Sequence, residues 1–351
     1  MIGLKLLGNE NAELIDVNIP KPKEGYVLLK MKTMALCGSD INLRYRPSYE
    51  NGKKMLNELG ISYNPNSIPG HEITGCIVEN HSSNSRLKKD DNVFIFPFIP
   101  SKDSVFYEDR LWKYCKPLKI IGYTIDGGNS EYLSVPEGNC YKFPDYVSLN
   151  QAAMLLDPIG APYGIIKKLN VNYLDRVLIL GVGPIGLGTT TICKYIGVKK
   201  IIVVDKVKER VDIAGSLGAN HLLNMDKNEC EKEVLKLTDN KGPNVVIDCI
   251  GDNESLNQAL KLVKPQGKIG VIGEPGFINN VSVSDLIIHK DLTITGSWVY
   301  DPQKLKDLFL LLKNGLKIEN IITHTFPIDE SLKAWELFNT GKTGKIVIYQ
   351  N

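Results

Sequence analysis

The chain has 351 residues, more than one hydrophobic core usually organises, so two domains are expected and a single small module is excluded. Its 42 Lys+Arg stand against 40 Asp+Glu, a formal net charge of +2, too even a balance for the basic face that a nucleic acid or an anionic membrane needs. Hydrophobic residues at 43% and charged residues at 23% are globular proportions, so the chain is expected to fold throughout and to meet a small-molecule partner.

In chain order, Met1 to Glu10 carries neither a charged n-region leading into an apolar stretch nor a small-residue cleavage site, and no secretory signal is expected. Short strands between Gly and Pro turns follow at Tyr26–Met31, Ile73–Glu79, Asn92–Phe96 and Glu131–Val135, which predicts a β-rich first domain over 1–157. Within it, Arg44 to Ser67, rich in Asn, Tyr, Pro and Lys, reads as an irregular surface lobe. From Pro158 apolar runs alternate with helix-length stretches, the pattern of βαβ units around a parallel sheet: Val177–Leu180, Ile201–Val204, Val245–Asp248, Lys268–Ile272 and Leu292–Gly296. That sets a second domain at 158–296. The remainder, 297–351, reads as a helix Pro302 to Asn314, a strand Ile321–Phe326, another helix and a strand Lys345–Tyr349. It is too short for a core and is expected to return to the first domain. Val177 to Gly188, the most apolar segment, falls far short of the roughly 20 residues of a spanning helix, so no membrane segment is expected. Seven scattered cysteines without a CxxC pair predict a reduced, cytoplasmic chain and no disulfide framework.

Gly181, Gly183, Pro184, Ile185 and Gly186 form GVGPIG between the strand Val177–Leu180 and a helical stretch. The first glycine permits a tight turn, the second a close approach to a pyrophosphate, and the third close helix–strand packing. The helix N-terminus then offers N–H groups and positive dipole to the phosphates. Pro184 suits the first helical turn, where its missing N–H costs no hydrogen bond. The next strand ends at Asp205, 19 positions after Gly186, where a carboxylate accepts the ribose hydroxyls and repels a 2′-phosphate. NAD is therefore favoured over NADP, with Lys206 partly offsetting the repulsion. The plainer alternative is a glycine turn without ligand.

Cys37 in CGSD, His71 and Glu72 in GHE, and Asp157 in LLDP offer a thiolate, an imidazole and carboxylates, donor types suited to Zn²⁺. Taken singly, each has an ordinary structural role, and spacing this long carries no local metal signature.

The segments CGSD, PGHEITGCIVE, DGGNSEY, LILGVGPIGLG, IDCIG and THTFP together resemble the zinc-dependent medium-chain dehydrogenase/reductases, above all the alcohol, sorbitol and threonine dehydrogenase branch. The resemblance spans nearly the whole chain. It implies an α/β protein in which a GroES-like β-rich catalytic domain joins a Rossmann domain with a doubly wound parallel sheet, usually as a dimer or tetramer. It implies Cys37, His71 and Asp157 as zinc ligands and Glu72 as an acid beside the metal. Ser39 would accept the substrate hydroxyl proton while hydride passes to NAD.

Three departures from the family pattern stand out. The span Pro97 to Pro117 holds only Cys115, too few thiolates for the family's structural zinc, so one catalytic zinc per chain is expected. Asn42 replaces the relay histidine, which leaves water or the cofactor ribose to carry protons from Ser39. The segment between Cys37 and His71 is longer than usual. Of the polyol-orienting Arg-Tyr pair, Val299 and Tyr300 retain half; Trp298 reads as core or interface, and Arg44 and Tyr45 as pocket or solvated surface. Two other readings remain: a zinc-free quinone or enoyl reductase of the same superfamily, and a non-catalytic nucleotide-binding protein.

Overall fold

A computed structural model describes residues 1–58, 60, 62–83, 85–274 and 278–350. The chain divides into two compact units, Met1–Met154 with His324–Thr340 and Lys345–Asn351, and Leu155–Thr323 with Gly341–Gly344.

Unit 1 is built on a seven-stranded sheet whose central strand, Tyr26–Ala35, is flanked by Lys345–Tyr349 and Glu72–Asn80, all antiparallel. Val27, Leu29, Met31 and Met34 are at most 2% exposed, while Lys30 and Lys32 between them are half-buried. Its register positions the site. Ala35 lies opposite Glu72 on one side and Val347 on the other. Cys37, two residues beyond Ala35, therefore leaves the sheet at the end where His71 enters and where Lys345 begins its strand. The N-terminal hairpin, Ile2–Gly8 with Asn11–Asp16, escapes the sequence reading. Asn9 and Glu10 both have φ near +50 to +60° there, the geometry of a tight two-residue hairpin turn.

The stretch 44–67, expected as an irregular surface lobe, is largely at the surface, but its first half is helical rather than irregular. Ile41–Tyr45 forms a π-helical turn and Tyr49–Glu58 an α-helix. Arg44 and Tyr45 are each only 3% exposed, Tyr45 packing on Trp335 at 5.7 Å between ring centroids. Ile41 and Leu43 just before the stretch and Leu56 within it are apolar and buried, which anchors it, while Lys53, Lys54 and Asn57 of the helix stay exposed.

Unit 2 holds a six-stranded parallel sheet in the spatial order His221–Asn224, Lys200–Asp205, Arg176–Leu180, Val245–Asp248, Lys268–Val271, Thr293–Gly296. This is the doubly wound order, with its switch point beside the Arg176–Leu180 strand. The four inner strands match the apolar runs because burial on both faces removes alternation. His221–Asn224, a half-exposed edge strand of four residues, lacks that signal.

The tail 297–351 does not return as one piece. Residues 297–323 belong to unit 2, where Leu305, Leu308, Ile318 and Ile321 are buried, and the chain passes to unit 1 at His324. The expected helix from Pro302 resolves into a 3₁₀ turn, Pro302–Lys304, capped by Asp301, and an α-helix, Leu305–Lys313. Among the described residues, no helix is long and apolar enough to cross a membrane.

Candidate metal centre and dinucleotide site

In unit 1, the Cys37 sulfur, a His71 ring nitrogen and a Glu72 carboxylate oxygen lie within 4.8 Å of one another. Donors at 2.0–2.3 Å from a common ion sit at such separations, and a soft sulfur, an imidazole and a hard oxygen are a zinc-compatible set. His71 is 6% exposed and Glu72 fully buried. Asp40 Oδ2 stands 3.2 Å from His71 Nδ1, which favours a proton on Nδ1 and frees Nε2 as the ligand atom. Lys345 Nζ meets Glu72 Oε1 at 2.5 Å with both side chains at most 2% exposed. A carboxylate neutralised by its own cation has less charge to offer a metal, so Glu72 is better suited to support the centre than to ligate it. Asp157, the third residue of unit 2, is half-buried.

Ser39 Oγ donates to Cys37 Sγ at 3.2 Å and accepts from Tyr123 Oη at 3.0 Å. Burial, and after it the Asp40 carboxylate, holds the Tyr123 phenol well above its ordinary pKa, so it remains a donor. Asn42 is exposed and its amide oxygen accepts from Arg46. Sequence reasoning missed Asp40, Tyr123 and Lys345. Asp40 had a signal, three residues past Cys37 on a helical turn; Tyr123 and Lys345 had none, since 84 and 273 residues separate them from their partners Ser39 and Glu72.

In unit 2, Gly181 has φ of +81°, and a Cβ at Gly186 would run into the Gly181 carbonyl. Gly183 is the N-cap of the helix Pro184–Tyr195, with Pro184 in its first turn and no side-chain cap. That leaves the helix end suited to a phosphate. Ile185 is half-buried and Lys206 exposed. Asp205 Oδ2 accepts from Val182 N and Oδ1 from Val207 N, both at 2.9 Å. The carboxylate thus ties the glycine turn to its strand and keeps a lone pair on each oxygen for ribose hydroxyls. Arg210 Nη1 approaches Oδ2 at 4.0 Å. A fourth glycine, Gly188, also matters: a Cβ there would overlap the Pro158 carbonyl.

Tyr300 is 5% exposed, lies 5.6 Å from the Tyr163 ring and donates to Asp307 at 3.4 Å, and Val299 is likewise buried. Trp298 is half-buried. Cys193 is buried and burial pushes its thiol up to about 12, so it is inert; Cys76 and Cys249 are partly exposed, and burial raises their thiols as well. Cys115 is fully buried with its sulfur donating toward Leu111 O.

Residues 23–145 match the model of the alcohol dehydrogenase GroES-like domain and residues 184–314 that of zinc-binding dehydrogenases. The L-threonine 3-dehydrogenase of Pyrococcus horikoshii is 32% identical over 343 residues, covering 96% of this chain and 94% of its own. The uncharacterised zinc-type alcohol dehydrogenase-like protein YphC of Escherichia coli is 29% identical, covering 99% of this chain and 98% of its own. Among solved structures, an alcohol dehydrogenase of Escherichia coli CFT073 complexed with NADH is 26% identical with a TM-score of 0.86 over 99% of both chains.

Proposed function

Since this chain belongs to the zinc-dependent medium-chain dehydrogenase/reductases, we propose that it oxidises a secondary alcohol, of a polyol, sugar or 3-hydroxy amino acid, with Cys37, His71 and Asp157 as the zinc ligands. It is a zinc-dependent oxidoreductase that moves hydride between a CH–OH carbon and NAD(H), in either direction. The observation that carries the site is the convergence of the Cys37, His71 and Glu72 donor atoms within 4.8 Å. Asp157 follows unit 1's first segment by three residues, and its carboxylate supplies the hard oxygen that Glu72, paired with Lys345, is poorly suited to give. The relatives named threonine dehydrogenase support the secondary hydroxyl.

Zinc supplies Lewis acidity that lowers the pKa of a substrate hydroxyl, and the nicotinamide supplies the hydride acceptor. The protein's own residues do the rest. Asp40 holds His71 in one tautomer, Lys345 keeps the Glu72 charge compensated, and Ser39 beside Cys37 takes the substrate proton as it passes its own to water or the cofactor ribose. Gly181, Gly183, Pro184, Ile185 and Gly186 cradle the pyrophosphate, while Asp205, flanked by Lys206, takes the ribose hydroxyls. The working location is the cytoplasm.

Copies associate through the Thr293–Gly296 edge of the parallel sheet, whose other side has no strand among the described residues. Ile278, Val283, Ile288 and Ile294 are 40–59% exposed along that stretch, an apolar display that favours a second copy over water.

The test is an NAD-linked absorbance screen over primary and secondary alcohols, polyols, sugars and 3-hydroxy amino acids, run with zinc analysis of the protein. Cys37→Ala is expected to lose bound zinc and turnover while binding NADH with unchanged affinity, because the nucleotide-binding residues all belong to unit 2. Full turnover in metal-free Cys37→Ala overturns the proposal.

A further inference from the structure

The hydrogen-bond line that ends on the Cys37 sulfur starts at a residue outside every motif. Tyr123 is 5% exposed and held from several sides. The Arg44 guanidinium lies 5.3 Å from the centre of its ring and donates to the carbonyls of Gly122 and Ser67, while the His71 ring stands 5.5 Å away. Its carbonyl accepts from Asn64 N at 2.9 Å and Ser67 Oγ at 3.0 Å. A phenylalanine would fill this place equally well and bring no buried hydroxyl that needs a partner. The hydroxyl that is present donates to Ser39 Oγ.

A hydroxyl has one hydrogen to give. Tyr123 spends its hydrogen on Ser39, and Ser39 spends its own on Cys37, so the two bonds run one way, toward a sulfur that as a thiolate can only accept. Such outer hydrogen bonds orient the groups around a metal and tune its ligands.

We propose that Tyr123 is a positioning residue acting through Ser39. Its hydrogen bond holds the Ser39 oxygen in place beside the Cys37 sulfur; as that oxygen takes up the substrate proton, the serine's own hydrogen leaves the sulfur for water or the cofactor ribose, so the hydroxyl stays neutral. Unit 1 thereby holds the first step of proton transfer in place with a residue 84 positions away, although position 42, where the family pattern has an ionisable histidine, is an exposed asparagine. The inference rests on the reading of Ser39 and Cys37 given under Proposed function.

The test uses the zinc enzyme and its cobalt-substituted form, with Tyr123→Phe, Ser39→Ala and the double variant. Tyr123→Phe is expected to keep the melting temperature and the KM for NAD but to lose roughly three- to tenfold in kcat, the worth of one net hydrogen bond. Its sulfur-to-cobalt charge-transfer band should move to longer wavelength, in the same direction as in Ser39→Ala, because a thiolate relieved of a donor gives up charge more readily. In the Ser39→Ala background the Tyr123 change should alter neither kcat nor the band, as expected when one residue works through another. Independent, multiplying losses of kcat in the double variant would overturn the proposal, and so would an unmoved band in Tyr123→Phe. Full kcat in Ser39→Ala would overturn the proton role of Ser39 itself, a failure visible without reference to Tyr123.

Discussion

A buried carboxylate needs hydrogen bonds or a compensating cation, and Glu72 has Lys345 at 2.5 Å. Lys345→Met removes the cation and leaves the carboxylate in place, so denaturant titration should register a loss of about 3–5 kcal/mol. Lys345→Arg should stay near the parent, and adding Glu72→Gln to Lys345→Met should restore more than half of the loss. An unchanged transition midpoint in Lys345→Met would refute the pairing. Asp205 carries a different load, since both its oxygens already serve the backbone of the turn and must also receive the ribose. In Asp205→Ala the KM for NAD should rise roughly ten- to hundredfold, the worth of a hydrogen bond to a charged group. The KM for NADP should change less, because Lys206 and Arg210 remain beside the vacated position. Equal rises for both coenzymes would show that the carboxylate only shapes the turn. What was readable at this scale was the chemistry that residues announce themselves: Cys37, His71, Asp205. Lys345 was not readable, because a lysine opening an apolar strand looks like the edge of that strand until register places it next to Glu72.

Strands and turns decide where those residues meet. The Ala35–Glu72 register brings a cysteine and a histidine 34 positions apart to one end of a sheet, and a shift by one residue would send Glu72 to the opposite face. The strands that set this register were legible because β-branched and other apolar residues dominate them, with Lys30, Lys32 and Glu79 at their more exposed positions. The N-terminal hairpin and the His221–Asn224 edge were not, since half-exposed strands mix polar and apolar residues. Glycines of unit 2 can be ranked by what a methyl group would strike. At Gly188 it would strike the Pro158 carbonyl, backbone that cannot rotate away, whereas at Gly296 it would meet nothing within 4 Å. Gly188→Ala is therefore expected to cost about 1–3 kcal/mol and to weaken NADH binding by displacing the helix Pro184–Tyr195. Gly296→Ala should stay within about 0.5 kcal/mol of the parent. Thermal melting with and without NADH compares them, and equal stability of the two variants would show that the helix yields without cost.

For the molecule as a whole, the exposed sheet edge is the feature that a solitary protein would be expected to blunt. Isolated edges are usually protected by charge, proline or a covering segment, because open N–H and C=O groups recruit other strands. Thr293–Gly296 has no charged residue within it, and Ile294 at 40%, Val283 at 55% and Ile288 at 59% exposure extend an apolar surface beside it. Composition could not reveal this, because exposed isoleucines are indistinguishable in sequence from core ones; only the strand order identifies the last strand as an edge. Two such edges meeting about a twofold axis would pair antiparallel and bury both apolar stretches. Ile288→Asp with Ile294→Lys should therefore shift the mass measured by light scattering toward that of one chain, 39.0 kDa, and should do so more at low protein concentration. Activity per chain is expected to persist, because the proposed zinc donors and nucleotide-binding residues all belong to one chain. A mass unchanged by the double substitution would place any association elsewhere on the surface.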